Sequence, residues 1–356
     1  MAEAQCINPA RRAIPTPRSM VDGHGKCIFG TFDREFEEMD LVKLKKPTRA
    51  PQAMNRLKLT LWEAAEVHLR EGVLLAVACD MGVFGKTLNI FYDKRTKKVY
   101  TWDTNTASKR ANIAPNLLRG SVTEAVSKVS RVKYVNHFED GACTLEGSHE
   151  GQAGSISYHF ELKRLSKPSV VSIPFGENRP LYSQKDFFKA EGTLTLNGEI
   201  LHTDGDSTAI VDDHKGYYPR RAHYDWVTTL GRSEPDGKFF AFNLTRNQST
   251  DQDRYNENLI WTEGRASLLP PVQFLRTPES KDFKDYAEWL VQDEYDMVNL
   301  KFKVYGISPM ILHVKVVMID YYVAFGELEG YVRDEDGHKY ILDGLMGMGE
   351  DKSLLF

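Results

Sequence analysis

The chain has 356 residues, 41% hydrophobic and 27% charged, an ordinary globular composition and more length than a single hydrophobic core usually serves, so two domains are expected. Its 46 basic and 50 acidic residues leave a formal charge of -4 and are mixed along the sequence, which excludes the positive field that gathers nucleic acid. No run approaches the roughly 18 to 20 apolar residues of a membrane span and no apolar stretch follows the N-terminal arginines, so neither a transmembrane segment nor a secretory leader is expected, and the location expected is cytoplasmic.

Residues 1–50 hold Pro9, Pro15, Pro17 and Pro47 with little periodicity and read as an extended arm laid on the surface. "LTLWEAAEVHLREG" follows, rich in Leu, Ala and Glu, and propensity alone makes it a helix. After it, period-two alternation recurs with turn residues every ten or so positions: "KTLNIFYDKRTKKVYTWD", "RVKYVNHFEDGACTLEG", "AEGTLTLNGEILHTDGD", "GKFFAFNLTRN", "VNLKFKVY" and "YVRDEDGHKYILDG". In these, "EDG", "LNG" and "DEDGH" supply the Gly and Asp of hairpin turns. In "VNLKFKVY", Leu300, Phe302 and Val304 point one way and Lys301, Lys303 and Tyr305 the other. Many sequential hairpins predict an all-β chain of closed or sandwiched antiparallel sheets. "SKDFKDYAEWL", with Ser280 as N-cap, is the one short helix expected late in the chain. Pro168, Pro174 and Pro180 interrupt the strands and suggest a boundary, giving a first domain at 51–175 and a second at 176–356.

Cys6, Cys27, Cys79 and Cys143 are far apart, with no CxxC pair and no His at zinc spacing, so no disulfide framework or zinc site is expected. No cofactor is implied either. "GLMGMGEDK" has glycines, but too few residues follow for a helix to present its N-terminus to a phosphate, and no GxSxG elbow supports a serine nucleophile.

"VDDHKGYYPRRAHYDW", residues 211–226, is the densest cluster of chemistry-bearing side chains. Gly216 and Pro219 predict a turn after Asp213. From Arg221 onward, alternation places Arg221, His223 and Asp225 on one side and Ala222, Tyr224 and Trp226 on the other. An inward Tyr224 and Trp226 would form an aromatic wall; an inward Arg221, His223 and Asp225 would form a polar, ionisable site. His223 and Asp225 also have the HxD spacing of two metal ligands on one strand, a pattern common by chance, and no metal is assigned. Downstream, Asn243, Asn247, Glu257 and Asn258 flank a polar loop, where such residues often only seal a turn.

Read in order, "PTPRSMVDGHGKCIFGTFD", "RLKLTLWEAAEV", "DMGVFG", "FYDKRTKK", "YSQKDFFKAEGTLTLNG", the 211–226 stretch, "NENLIWTEGRASLL" and "FGELEGYVRDEDGHKYILDGLMGMGED" resemble a family catalogued as a domain of unknown function, DUF2804. The resemblance covers nearly the whole chain and implies that "LTLWEAAEVHL" is a strand. The family is remotely similar to the group of carotenoid 1,2-hydratases and AttH-like proteins, which implies two lipocalin-like antiparallel barrels packed side by side with few short helices. It also implies a bulky, apolar small-molecule ligand held in a barrel or between the barrels. Asp213, Gly216, Tyr218, Pro219, Tyr224 and Trp226 match the family's pattern, whereas His214, Lys215, Arg220 and His223 depart from it. Glu350 and Asp351 match its closing acidic element, and Tyr182 and Lys185 match in "YSQK".

The function expected is binding of that ligand, with cofactor-independent hydratase, isomerase or cyclase chemistry. Asp213, His223, Asp225 and Glu257 are the acid-base candidates, with Asp213 and Glu257 able to act as a carboxyl pair, one protonated and one ionised. Tyr218, Arg221, Tyr224, Trp226, Asn243 and Asn258 are the ligand-binding candidates. The alternative is a non-catalytic lipid or pigment binding protein in which those groups only orient the ligand.

Overall fold

The structure is a computed structural model that describes residues 11–152, 154–232, 237–276, 288–314 and 317–355. The chain divides into two compact units, Ile14–Tyr218 and the remainder, Met1–Ala13 with Pro219–Phe356. The fold is all-β, with one sheet nearly closed into a barrel and the other a half-barrel. No helix among the described residues is long and apolar enough to cross a membrane.

In chain order the first sheet is built from β1 (Ala13–Ile14), β2 (Gly30–Phe32), β3 (Thr60–His68), β4 (Gly72–Asp80), β5 (Phe84–Asp93), β6 (Lys98–Ala107), β7 (Ala111–Asn112), β8 (Ser121–Val126), β9 (Ser130–His137), β10 (Ala142–Gly151), β11 (Gly154–Arg164), β12 (Ser169–Pro174), β13 (Pro180–Leu196), β14 (Glu199–His202) and β15 (Thr208–Gly216). Its main path runs β6-β5-β4-β3-β15-β13-β11-β10-β9-β8-β7. Alternate residues of these strands, among them Val67, Ala76, Phe91, Val132, Leu145, Phe160, Leu194 and Val211, point into one core. The "LNG" signal is a two-residue hairpin turn: Leu196 pairs with Glu199, while Asn197 and Gly198 take φ of +51° and +89°.

"LTLWEAAEVHL" forms strand β3, as the family resemblance implies and against its helix propensity. Hydrogen-bonded between β4 and β15 and buried on both faces from Glu63 onward, it gains more from ladder pairing and burial than its Ala, Leu and Glu content would return in a short helix. The boundary drawn at 175/176 falls inside the first unit, where Pro174 pairs with Pro180 across the β12–β13 hairpin. These prolines sit where a hairpin closes, where a missing N–H costs little.

The arm has structure of its own. Within 14–59, Met20, Phe32, Phe36, Met39, Leu41 and Leu44 are buried and form a small core with Leu59, Val170, Tyr182 and Tyr217. A short helix, α1 (Asn55–Lys58), ends the arm.

The second sheet comprises β16 (Arg221–Arg232), β17 (Phe239–Arg246), β18 (Leu259–Thr262), β19 (Arg265–Leu268), β20 (Gln273–Arg276), β21 (Glu288–Gln292), β22 (Val298–Val314), β23 (Val317–Arg333), β24 (Lys339–Ile341) and β25 (Met346–Leu355), in the order β19-β18-β17-β16-β25-β23-β22-β21-β20 with β24 on β23. Val227, Phe242, Leu244, Trp289, Leu300, Phe302 and Leu328 belong to its core. Ser280 and the start of the helix expected there lie outside the described residues; the end of that stretch enters strand β21.

Candidate ligand site

Strand β15 carries the site. Val211 points into the first core, so the two-residue period turns Asp213 and Lys215 to the same inner side. On β3, in register beside it, Val67 and Ala65 put Glu63 and Leu61 inward, with Glu63 opposite Asp213 and Leu61 opposite Lys215. Glu63 and Asp213 are each 0% exposed and Lys215 is 2% exposed. The Lys215 ammonium donates to both oxygens of Asp213. From β13, Gln184 stands on the other side of Asp213 and is held in place, accepting from the Tyr182 hydroxyl at 2.9 Å and donating to Asp186 at 2.8 Å. The Lys215 ammonium lies 5.9 Å from the centre of the Tyr182 ring.

Burial holds the Asp213 carboxyl above its ordinary value, and the adjoining Lys215 ammonium, paired with it, offsets part of that rise. Among the described residues Glu63 has no cation of its own at contact distance. Burial first, and then the negative charge of Asp213, push it up to about 8, leaving it predominantly protonated at neutral pH. Thr123 and Asn136 favour its charged form, but among the described residues neither Glu63 oxygen finds a hydrogen bond of good geometry. Glu63, the acid that holds its proton, thus stands opposite the one that has an ammonium partner.

Lys215 also lines a cavity of about 480 Å³, within the range of small-molecule pockets. Met39, Leu41, Leu59, Leu61, Ile113 and Ala114 give it apolar walls, while Asn116 and the exposed Glu37, Glu38, Asp40, Lys43 and Arg56 also line it. Each wall is tied down. The Tyr217 hydroxyl donates to the Leu41 carbonyl at 3.0 Å, Asn55 donates to the Leu44 carbonyl at 2.8 Å, and Asn116 donates to the Glu37 carbonyl at 2.8 Å. Arg56 pairs with Asp80 at the end of β4. Gly82, at φ +81°, lets the Leu57 carbonyl approach so closely that a Cβ there would lie 2.4 Å from it, and so seats α1 at the cavity edge.

The outer side of the same strands holds a second polar group. The Lys185 ammonium donates to Ser183 Oγ at 2.8 Å; His214 Nε2 lies 2.9 Å from both Ser183 Oγ and Lys185 Nζ and 3.2 Å from Asp212. In a catalytic triad the acid engages the imidazole nitrogen opposite the nucleophile. Here Ser183 and Asp212 meet the same nitrogen, so the group has the residues of a triad without its relay.

In the second unit, His223 and Asp225 share the face of Val227, which belongs to the core. His223 Nε2 lies 3.1 Å from Asp225, its Nδ1 lies 3.0 Å from Ser353 Oγ, and Arg276 pairs with Asp225 and, at 3.3 Å, with Asp351. The hydrogen bond to Asp225 raises His223 above its ordinary value. Despite burial, the His223 bond and the Arg276 charge hold Asp225 below its own. His223, Asp225 and Asp351 offer ligand atoms within 4.8 Å of one another, but Arg276 already supplies a cation to both carboxylates. In an NMR titration His223 is expected to keep its proton above pH 6.5 and to fall back in Asp225→Asn. Its contribution to stability is present at low pH and lost as pH rises through the raised value. An unshifted His223 in the native protein would refute the pairing.

The remaining sequence candidates are placed as follows. Trp226 is buried on the opposite face of β16, its indole donating to Asn243 Oδ1 at 2.6 Å, and Asn243 donates to the Glu257 carbonyl at 2.9 Å. Glu257 accepts from Asn247 at 2.7 Å and lies in the field of the buried Arg11, so Asp213 and Glu257 each have a basic group within their own unit. Asn258 accepts from the Thr245 N–H at 2.7 Å and donates to the Pro270 carbonyl at 2.8 Å, the arrangement of a sealed turn. Tyr218 is half-buried with its ring 6.3 Å from that of Phe175, Tyr224 is half-buried, and Arg221 is exposed. Glu350 accepts from the Tyr321 hydroxyl on the terminal strand β25.

The family described as Domain of unknown function (DUF2804) matches residues 11–356. The chain belongs to this family. A search of the curated proteins gave no match. Among solved structures, a protein of Nitrosomonas europaea assigned to AttH superimposes with a TM-score of 0.50 at 12% identity, over 83% of this chain and 93% of that one. A likeness at that identity concerns the fold, which is the AttH-like double barrel. CghA is more distant, both with Sch210972 (TM-score 0.43, 8% identity, 84% of this chain and 89% of that one) and without it (0.41, 9%, 84% and 88%).

Two residues of the family member's candidate site were not identified from sequence as acid-base groups. Lys215 stands in the sequence only as a departure from the family's pattern; its signal is the i, i+2 spacing with Asp213. Glu63 is a lone acid on the otherwise apolar Leu61, Ala65, Val67 side of a strand.

Proposed function

We propose that this family member binds a bulky, largely apolar small molecule in the cavity of its first barrel and acts on it by proton transfer, without a cofactor. The observation that carries the reading is a cavity of about 480 Å³ lined in part by the buried Lys215, whose ammonium pairs with Asp213 behind it, with Glu63 opposite Asp213 in register. The Lys215 ammonium would anchor the polar end of the ligand, and Glu63, protonated at neutral pH, is the group suited to donate a proton at a double bond or leaving group. Asp213 would balance the positive charge that develops. The remote similarity of its family to the carotenoid 1,2-hydratase group supports the reaction class.

Native mass spectrometry of protein purified from its own host tests the reading, with Ala114→Phe as the comparison because it fills the cavity and leaves the ion pair intact. A ligand retained by the native protein and lost from the folded variant is expected. Equal retention by both would refute the cavity as the site. Returning the extracted ligand to ligand-free protein then separates the two functions: a changed product marks catalysis, and recovery of the same compound marks a carrier.

A further inference from the structure

We propose that Lys215 condenses reversibly with an aldehyde or ketone ligand and holds it as a protonated Schiff base against Asp213. The inference rests on the cavity being the ligand site and names the class of ligand. A primary amine at the buried end of an apolar-walled cavity meets whatever polar group the ligand presents there, and a lysine is a nucleophile toward carbonyl carbon. Asp213 is placed to take the proton that must leave the ammonium before it can attack, since Lys215 Nζ donates to both of its oxygens.

The step balances. The ammonium passes a proton to Asp213, and the neutral amine forms a C–N bond to the carbonyl carbon. A proton moves within the adduct from nitrogen to oxygen, giving a carbinolamine. Asp213 returns its proton to the hydroxyl, the C–O bond breaks, and water leaves. The products are an iminium and a carboxylate, one positive and one negative charge, as in the resting pair. A barrel interior that already stabilises ammonium against carboxylate therefore stabilises iminium against carboxylate with no net change of buried charge. Glu63, being neutral, adds no second negative charge beside the product.

The test uses the full chain with trans-cinnamaldehyde, a planar apolar aldehyde, followed by borohydride reduction and peptide mass spectrometry. Lys215 is expected to be labelled at least about tenfold more than the exposed Lys43 and Lys58, and labelling at this position should vanish in Lys215→Arg, which keeps the cation but does not condense. Calorimetry with cinnamyl alcohol, the same shape without a carbonyl, separates the two ideas. If the alcohol binds the native protein but not Ala114→Phe, and Lys215 is labelled no more than Lys43 and Lys58, the Schiff base is overturned while the cavity stands. If the alcohol does not bind and Lys215 is not preferentially labelled, both fall.

Discussion

Replacing Lys215 by methionine is expected to destabilise the first unit by about 3 to 5 kcal/mol, the cost of breaking a buried ion pair by removing one partner. The reason lies in what remains. Asp213 is 0% exposed, its only charged hydrogen-bond partner among the described residues is Lys215, and the other neighbours in register are Glu63 and Gln184. Without the ammonium the carboxylate must protonate or stay uncompensated in the barrel. Adding Asp213→Asn to Lys215→Met should recover most of the loss, since the double variant contains no buried charge at this position. A thermal or guanidinium unfolding series on both single variants and the double variant gives the coupling directly. Additive losses in the double variant, or a Lys215→Met variant as stable as the native chain, would show that the pair is not the buried unit described above. Asp213→Asn alone should also be costly, because it strands the ammonium.

The fold was largely legible from the chain because a solvent-facing or half-buried strand shows its period. Leu300 and Phe302 alternate with lysines and are core residues, and Asn197–Gly198 turns as its chemistry dictates. The part that was not legible lies where strands are buried on both faces. In β15, Val211, Asp213 and Lys215 are buried along with Ile210, while Asp212 and His214 are only partly exposed, so polarity alternates without telling inside from outside. The same holds for β16. Its His223–Asp225 side shares the core face with Val227, yet Trp226 on the other side is buried as well, and a choice between one inward face and one outward face did not fit either strand. Prolines misled for a related reason. Pro174 and Pro180 break a ladder in sequence but close a hairpin in space, so a boundary was read where two strands of one sheet meet. The cavity could not be read at all, because its walls come from the arm, from the 113–116 segment and from β3, which only the folded sheet brings together.

Glu63→Gln is expected to make the protein more stable in mildly alkaline solution and to flatten its pH dependence. In the folded chain Glu63 holds its proton up to about pH 8, whereas in the unfolded chain it releases it near its ordinary value of 4.5. Between those two values the folded state binds the extra proton, so stability falls as pH rises through the window, is unaffected by this group below it, and levels off above it. Because Glu63 is fully buried, the loss across the window is on the order of 3 to 5 kcal/mol. Glutamine fills nearly the same space, faces Thr123 and Asn136 with groups that can hydrogen-bond, and is uncharged at every pH, so that part of the slope should disappear. Unfolding measured at pH 5, 7 and 8.5 on both proteins checks this. Near pH 5 the two should be close, and by pH 8.5 the variant should be the more stable. Parallel curves would mean that Glu63 ionises alike in both states, and the neutral acid required for proton donation in the barrel would be lost with it. If the curves diverge as expected while ligand turnover is lost in Glu63→Gln, the proton that stabilises the barrel is also the proton used on the ligand. An amide can take the place of the neutral acid in packing but has no acidic proton to give.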